Sequence, residues 1–148
     1  MPIAKIIFLI CIFAAAVVGQ ADPLSQPGPF RAGWRSVTVT RANSTTFTAR
    51  LYYPATVAGQ NGAFDSSGSP YPAITFGHGF FQAVSSYQST LEHLATHGYF
   101  VIASDSESGL FPSHQNFADD IKRCLTYLEQ ENANPASTFF GRVATSKF

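Results

Sequence analysis

The sequence predicts an α/β domain in which an antiparallel hairpin leads into a parallel sheet with helices on its faces. Two observations carry that expectation. Residues 35–41 alternate, with Val37 and Val39 on one side and Ser36, Thr38 and Thr40 on the other, and 47–53 are rich in aromatic and β-branched residues. After Pro72 the rhythm changes to short apolar runs separated by stretches with apolar residues at helical spacing. Such units build a parallel sheet with right-handed crossovers, and their functional loops lie at the carboxyl ends of the strands. The length of 148 residues suits one core. Nine basic residues balance nine acidic ones with no basic run, which excludes the electrostatic footprint of a nucleic-acid partner. Two cysteines, neither in a C-x-x-C pair, exclude a structural zinc site and a disulfide scaffold.

Taken in order, residues 1–21 read as a secretory signal peptide. Lys5 is followed by the apolar run 6–18 and by the small residues Gly19 and Ala21. The run is shorter than the ~20 residues a membrane span needs, so a stable membrane anchor is not expected and the mature chain is expected outside the cell. Asn43-Ser44-Thr45 is an N-glycosylation sequon in a turn between the two predicted strands. Residues 22–33 hold three prolines and two glycines and read as an irregular leader, and 55–70 as a loop. Ala73–Phe76 is a short apolar run broken by Gly77-His78-Gly79, as a buried parallel strand is where it opens into a loop. Ser85-x-x-Gln88 has the form of a capping box, with Val84, Tyr87, Leu91 and Leu94 at helical spacing and Gly98 as the C-cap. A second buried strand is expected over 99–103, a loop over 104–112, and a helix from Ser113 to about Glu131, stopped by Asn134-Pro135. Cys124 falls on the apolar stripe of Phe117, Ile121, Leu125 and Leu128, where a thiol is buried and inert.

Chemistry is expected first at the loop Gly77-His78-Gly79-Phe80-Phe81-Gln82, where glycines on both sides of a histidine let main-chain N–H groups approach a ligand. The runs YPAITFGHGFF at 71–81, SSYQ at 85–88 and LATHGYFVIASD at 94–105 resemble the α/β-hydrolases of the cutinase-like polyester (PET) hydrolase and chlorophyllase-like branch. The likeness extends over about 34–148. It implies the N-terminal half of an α/β-hydrolase domain over 34–148, and a carboxylic ester hydrolase acting on a hydrophobic ester through Ser-His-Asp acyl transfer, without a cofactor. It also implies that the Phe80 N–H is one oxyanion-hole donor, with the Phe80 ring beside the acyl group. His78, Phe80, Phe81 and Phe111 are then candidates to line an apolar substrate cleft.

The sequence departs from that family in one respect. The nucleophilic serine should sit in a G-x-S-x-G elbow after the strand that follows the second helix, and no such motif occurs in the 148 residues. The expectation is therefore an incomplete chain, cut before the nucleophile elbow, with nucleophile, acid and base absent and no activity of its own. The alternative is a non-catalytic relative that keeps the aromatic cleft and binds apolar ligands. Ser85 and Ser86 are better explained as helix caps than as nucleophiles. His93 and His97 stand four apart, but no glutamate follows His93 to complete H-E-x-x-H, and no metal site is expected. Asp105 and Glu107 lie near the functional face with no role implied, and His114 is expected to be solvated.

Overall fold

The computed structural model describes residues 23–148, so the signal peptide expected over 1–21 lies outside the described residues. Five strands, β1 (Arg31–Thr40), β2 (Thr46–Ala55), β3 (Gly59–Gln60), β4 (Ala73–Phe76) and β5 (Phe100–Ser104), form one sheet in the order β3-β1-β2-β5-β4. The hairpin β1–β2 is antiparallel from Arg31↔Ala55 to Thr40↔Thr46. β5 pairs antiparallel with β2 and parallel with β4. The connection from β4 to β5 runs through α1 (Gln88–Thr96), and α2 (His114–Ala133) follows β5. The α/β architecture is the expected one.

The helices cover opposite faces of the sheet. On one side Leu91 and Ala95 of α1 pack with Tyr52, Val101 and Ala103; on the other Cys124 and Leu128 of α2 pack with Leu51, Tyr53, Phe100 and Ile102. Every residue of β5 is buried because both its faces are covered, which is why it reads as a continuous apolar run with no alternation. Phe64, from the loop after β3, stacks on Phe100 with centroids 5.6 Å apart and meets Phe139 edge-on at 5.3 Å. That contact closes the α2 side of the core.

The structure differs from expectation at three boundaries. β1 begins at Arg31 rather than Arg35, because Gly33 lets the strand lie flush on β2: a Cβ there would meet Ala55 Cβ and a Tyr53 ring carbon, each at 2.8 Å. The loop over 55–70 contributes the short strand β3, parallel to β1. The capping box does not form, since the chain enters α1 through a 3-10 turn over Val84–Tyr87 without a side-chain cap from Ser85 or Ser86. Instead Val84 N–H donates to Asp105 Oδ1 at 3.3 Å, so the end of β5 caps that turn across the fold. Other signals act as read. Gly98 takes φ of 90° just past α1, and Ser113 caps α2 by accepting from Asn116 N–H at 3.2 Å.

Beyond α2 the chain returns to the outer side of β4. Tyr71 N–H donates to Arg142 O at 2.9 Å and Ala144 N–H donates to Tyr71 O at 2.8 Å, an isolated parallel bridge between Tyr71 and Val143. The leader crosses the C-terminal end of α1. There His93 and His97 bond Leu24 O and Gln26 O at 2.8 and 3.0 Å, and Gly28 N–H donates to Thr96 Oγ1 at 2.8 Å. A Cβ at Gly28 would sit 2.1 Å from Thr96 O, so only glycine fits this crossing.

Candidate active site

Two loops leave the carboxyl ends of the neighbouring parallel strands β4 and β5, and both expose aromatic rings. In the first, Gly77 lies close under α2: a Cβ there would come within 2.8 Å of Ile121 Cδ1, which would have to move aside. His78 turns inward and is 7% exposed, its ring 4.6 Å from that of Phe117. Its Nδ1 stands 3.0 Å from Gly79 O and its Nε2 2.8 Å from Ser106 O, so whichever nitrogen carries the proton donates to a main-chain carbonyl. Gly79 N–H donates to Tyr87 Oη at 3.1 Å and Gln82 N–H to Gly79 O at 3.1 Å. Between these fixed points Phe80 and Phe81 project outward, 66% and 57% exposed. Phe81 holds φ of 55°, a left-handed conformation that is strained for a bulky side chain. The Phe80 N–H has no hydrogen-bond acceptor among the described residues.

The second loop is built on buried polar groups. Ser106 Oγ donates to Asp120 Oδ2 at 2.6 Å and lies 2.8 Å from Ser104 Oγ. Asp120, on the inner side of α2, is 1% exposed. Arg41 grips it with Nε on Oδ1 and Nη2 on Oδ2, both at 2.7 Å, and that bond raises the Arg41 pKa above its ordinary value. The two acidic residues of the loop are also engaged. Asp105 caps Val84 and lies 3.6 Å from Arg50 Nε, while Glu107 accepts from Ser113 N–H at 2.6 Å. With both carboxylates turned to structural work, the outer rim is left to Leu110, 61% exposed, and Phe111, 97% exposed.

Of the residues expected to line a cleft, His78 is thus a buried clamp, whereas Phe80, Phe81 and Phe111 are exposed, the first two with ring centroids 6.4 Å apart. Two cavities of about 430 and 530 Å³ lie elsewhere. One is beside Arg41, Asn43 and Lys122, the other beside Phe30, Arg31 and His93, and neither is lined by Phe80, Phe81 or Phe111. Asn43 is exposed in the β1–β2 turn, where its Oδ1 accepts from Thr45 N–H at 3.1 Å and Thr45 Oγ1 at 2.7 Å. The rings of His93 and His97 are both engaged with the leader, and among the described residues no three metal-capable side chains come together. No described helix is long and apolar enough to cross a membrane. Burial pushes the Cys124 thiol up to about 12, which keeps it protonated and unreactive at neutral pH.

Sequence reasoning missed Arg41, Ser106 and Asp120. One signal was available: Asp120, Cys124 and Leu128 are four apart, so a helix that buries the last two buries the carboxylate with them.

Residues 30–134, which run from β1 through α2 and include both loops, match the chlorophyllase family. The chain belongs to that family. Chlorophyllases are part of the α/β-hydrolase superfamily, and the match points to an esterase-like hydrolase. No curated protein matches the chain. In this chlorophyllase-family chain the two ordered loops fall where the superfamily keeps its reaction site, at the carboxyl ends of the parallel strands.

Proposed function

We propose that the chain supplies the oxyanion side of a secreted carboxylic ester hydrolase, close to the cutinase-like and chlorophyllase-like enzymes, that acts on hydrophobic esters. The observation that carries this reading is the Phe80 N–H. Among the described residues it has no acceptor, and it sits on a loop pinned at His78, Gly79 and Gln82, directly after a parallel strand. A donor held in that way is ready to meet the negative charge that develops on a carbonyl oxygen during acyl transfer. The exposed apolar side chains of Phe80, Phe81, Leu110 and Phe111, on the loops after β4 and β5, suit an apolar acyl or alcohol group. The reading requires the nucleophile, acid and base to come from chain beyond these 148 residues, which contain no G-x-S-x-G. The bridge from Tyr71 to Val143 is consistent with a further parallel strand beside β4 leading to that elbow.

Under this reading residues 1–21 direct export and Asn43 carries an N-linked glycan in the exposed turn. Treatment of protein secreted by eukaryotic cells with an N-glycanase should shift its mass, and Asn43→Gln should abolish the shift. The 148-residue chain alone should leave p-nitrophenyl esters untouched, and the coding sequence should continue into an apolar run and a G-x-S-x-G motif. In the enzyme that carries this elbow, Phe80→Pro removes the N–H and should lower kcat by ~10²- to 10³-fold. Phe80→Ala keeps the N–H and should weaken substrate binding by about 1 to 3 kcal/mol. Equal, small effects of the two would place the oxyanion hole elsewhere. Turnover by the 148 residues alone, lost on replacing one internal serine, would overturn the reading of a divided site.

A further inference from the structure

We propose that Asp120 and Ser106 are positioning residues that hold the Phe80 loop in register from behind. The inference rests on the reading of Phe80 as an oxyanion donor. Ser106 faces two ways: its hydroxyl donates to Asp120 Oδ2 at 2.6 Å, while its main-chain carbonyl stands 2.8 Å from His78 Nε2. The other ring nitrogen, Nδ1, stands 3.0 Å from Gly79 O, the carbonyl of the peptide that carries the Phe80 N–H. A chain of close polar contacts thus runs from Arg41 through Asp120, Ser106 and His78 to the donor loop, and it joins the end of β1, α2 and the loops after β4 and β5.

α2 adds a second grip on the same loop. Phe117 packs on the His78 ring and Ile121 stands against Gly77, and Asp120 lies between them on adjoining positions of the same helix. The charge of Asp120 is already satisfied by the two bonds from Arg41, so the Ser106 hydroxyl adds no charge balance. Its contribution is direction. Bonded to a buried, doubly anchored carboxylate, Ser106 is restrained in how it presents its carbonyl to His78, and an oxyanion donor misplaced by a fraction of an ångström loses much of its worth.

The test is amide hydrogen exchange on the full chain. Ser106→Ala leaves the Arg41–Asp120 pair whole and should speed exchange at Gly79 and Gln82 by roughly fivefold to tenfold, the worth of one hydrogen bond, with the β1–β2 ladder unchanged. Ser106→Thr, which keeps the hydroxyl, should restore the wild-type rates. Asp120→Asn should act in the same direction; should it unfold the chain, Ser106→Ala alone decides. In the active enzyme Ser106→Ala should lower kcat by roughly tenfold with KM little changed. Unchanged exchange at Gly79 and Gln82, or faster exchange spread evenly over the sheet, overturns the proposal. An enzyme without esterase activity would defeat the functional reading and leave the exchange result to judge this one.

Discussion

Histidine fastens irregular chain to regular structure in two regions of this molecule, by the same bond in opposite settings. At the leader, the partly exposed rings of His93 and His97 lie 4.7 Å apart and bond Leu24 O and Gln26 O at 2.8 and 3.0 Å. Behind the Phe80 loop, the buried ring of His78 stands 3.0 and 2.8 Å from Gly79 O and Ser106 O and donates to one of them. The distances match, so bond length does not distinguish a strap from a clamp. The difference lies in what replaces the bond when it is lost. Water reaches the leader carbonyls and can take the place of the imidazoles, whereas the His78 ring is buried against Phe117, where water replaces its bond less readily.

The sharpest way to break that comparison is His78→Ala, which should destabilise the fold by about 1 to 3 kcal/mol in denaturant unfolding, through loss of the ring's N–H bond to a main-chain carbonyl and of the ring packed on Phe117. A smaller effect separates burial from hydrogen bonding. Burial pushes the Cys124 thiol from 9.0 to about 12, so the native chain keeps a proton that the unfolded chain gives up. That contribution is whole below about pH 9 and is lost as the pH rises through 12, so stability should fall by roughly 1 kcal/mol by pH 10. Tyr127, likewise pushed up to about 12 by burial, shifts in the same direction. Cys124→Ala should flatten the alkaline limb of a thermal-melting profile, and an unchanged slope would show that the thiol is hydrated. The double replacement of His93 and His97 by alanine should have the smallest effect, within about 0.5 kcal/mol, while limited proteolysis cuts the leader faster. A loss equal to that of His78→Ala would erase the distinction between strap and clamp.

What the sequence revealed and what it hid follow the range of the interactions. β4 and the C-cap at Gly98 were legible because apolar runs and glycine act within a few residues. The cap on Val84 was not, because its acceptor Asp105 is 21 residues away and displaces the local Ser85 signal. The buried ion pair was hidden more deeply, since Arg41 and Asp120 are 79 residues apart, and the four-residue spacing that marks Asp120 as buried gives no hint of its partner. The aromatic residues of the functional face were legible as loop residues. That they stand exposed, and that His78 turns inward, depends on α2 filling the space behind the loop.

The strand order also dictates when the pieces can come together. β5 lies between β2 and β4, although β4 is made first. The hairpin β1–β2 can therefore close on local contacts as soon as it is synthesised, while β4 waits through the whole of α1 for its neighbour in the sheet. During that interval Ile74 and Phe76 lack the strand they will pack beside, and residues 73–99 are the stretch most in need of protection from association with other chains. Slowing synthesis or weakening β5 should thus cost soluble yield before it costs stability.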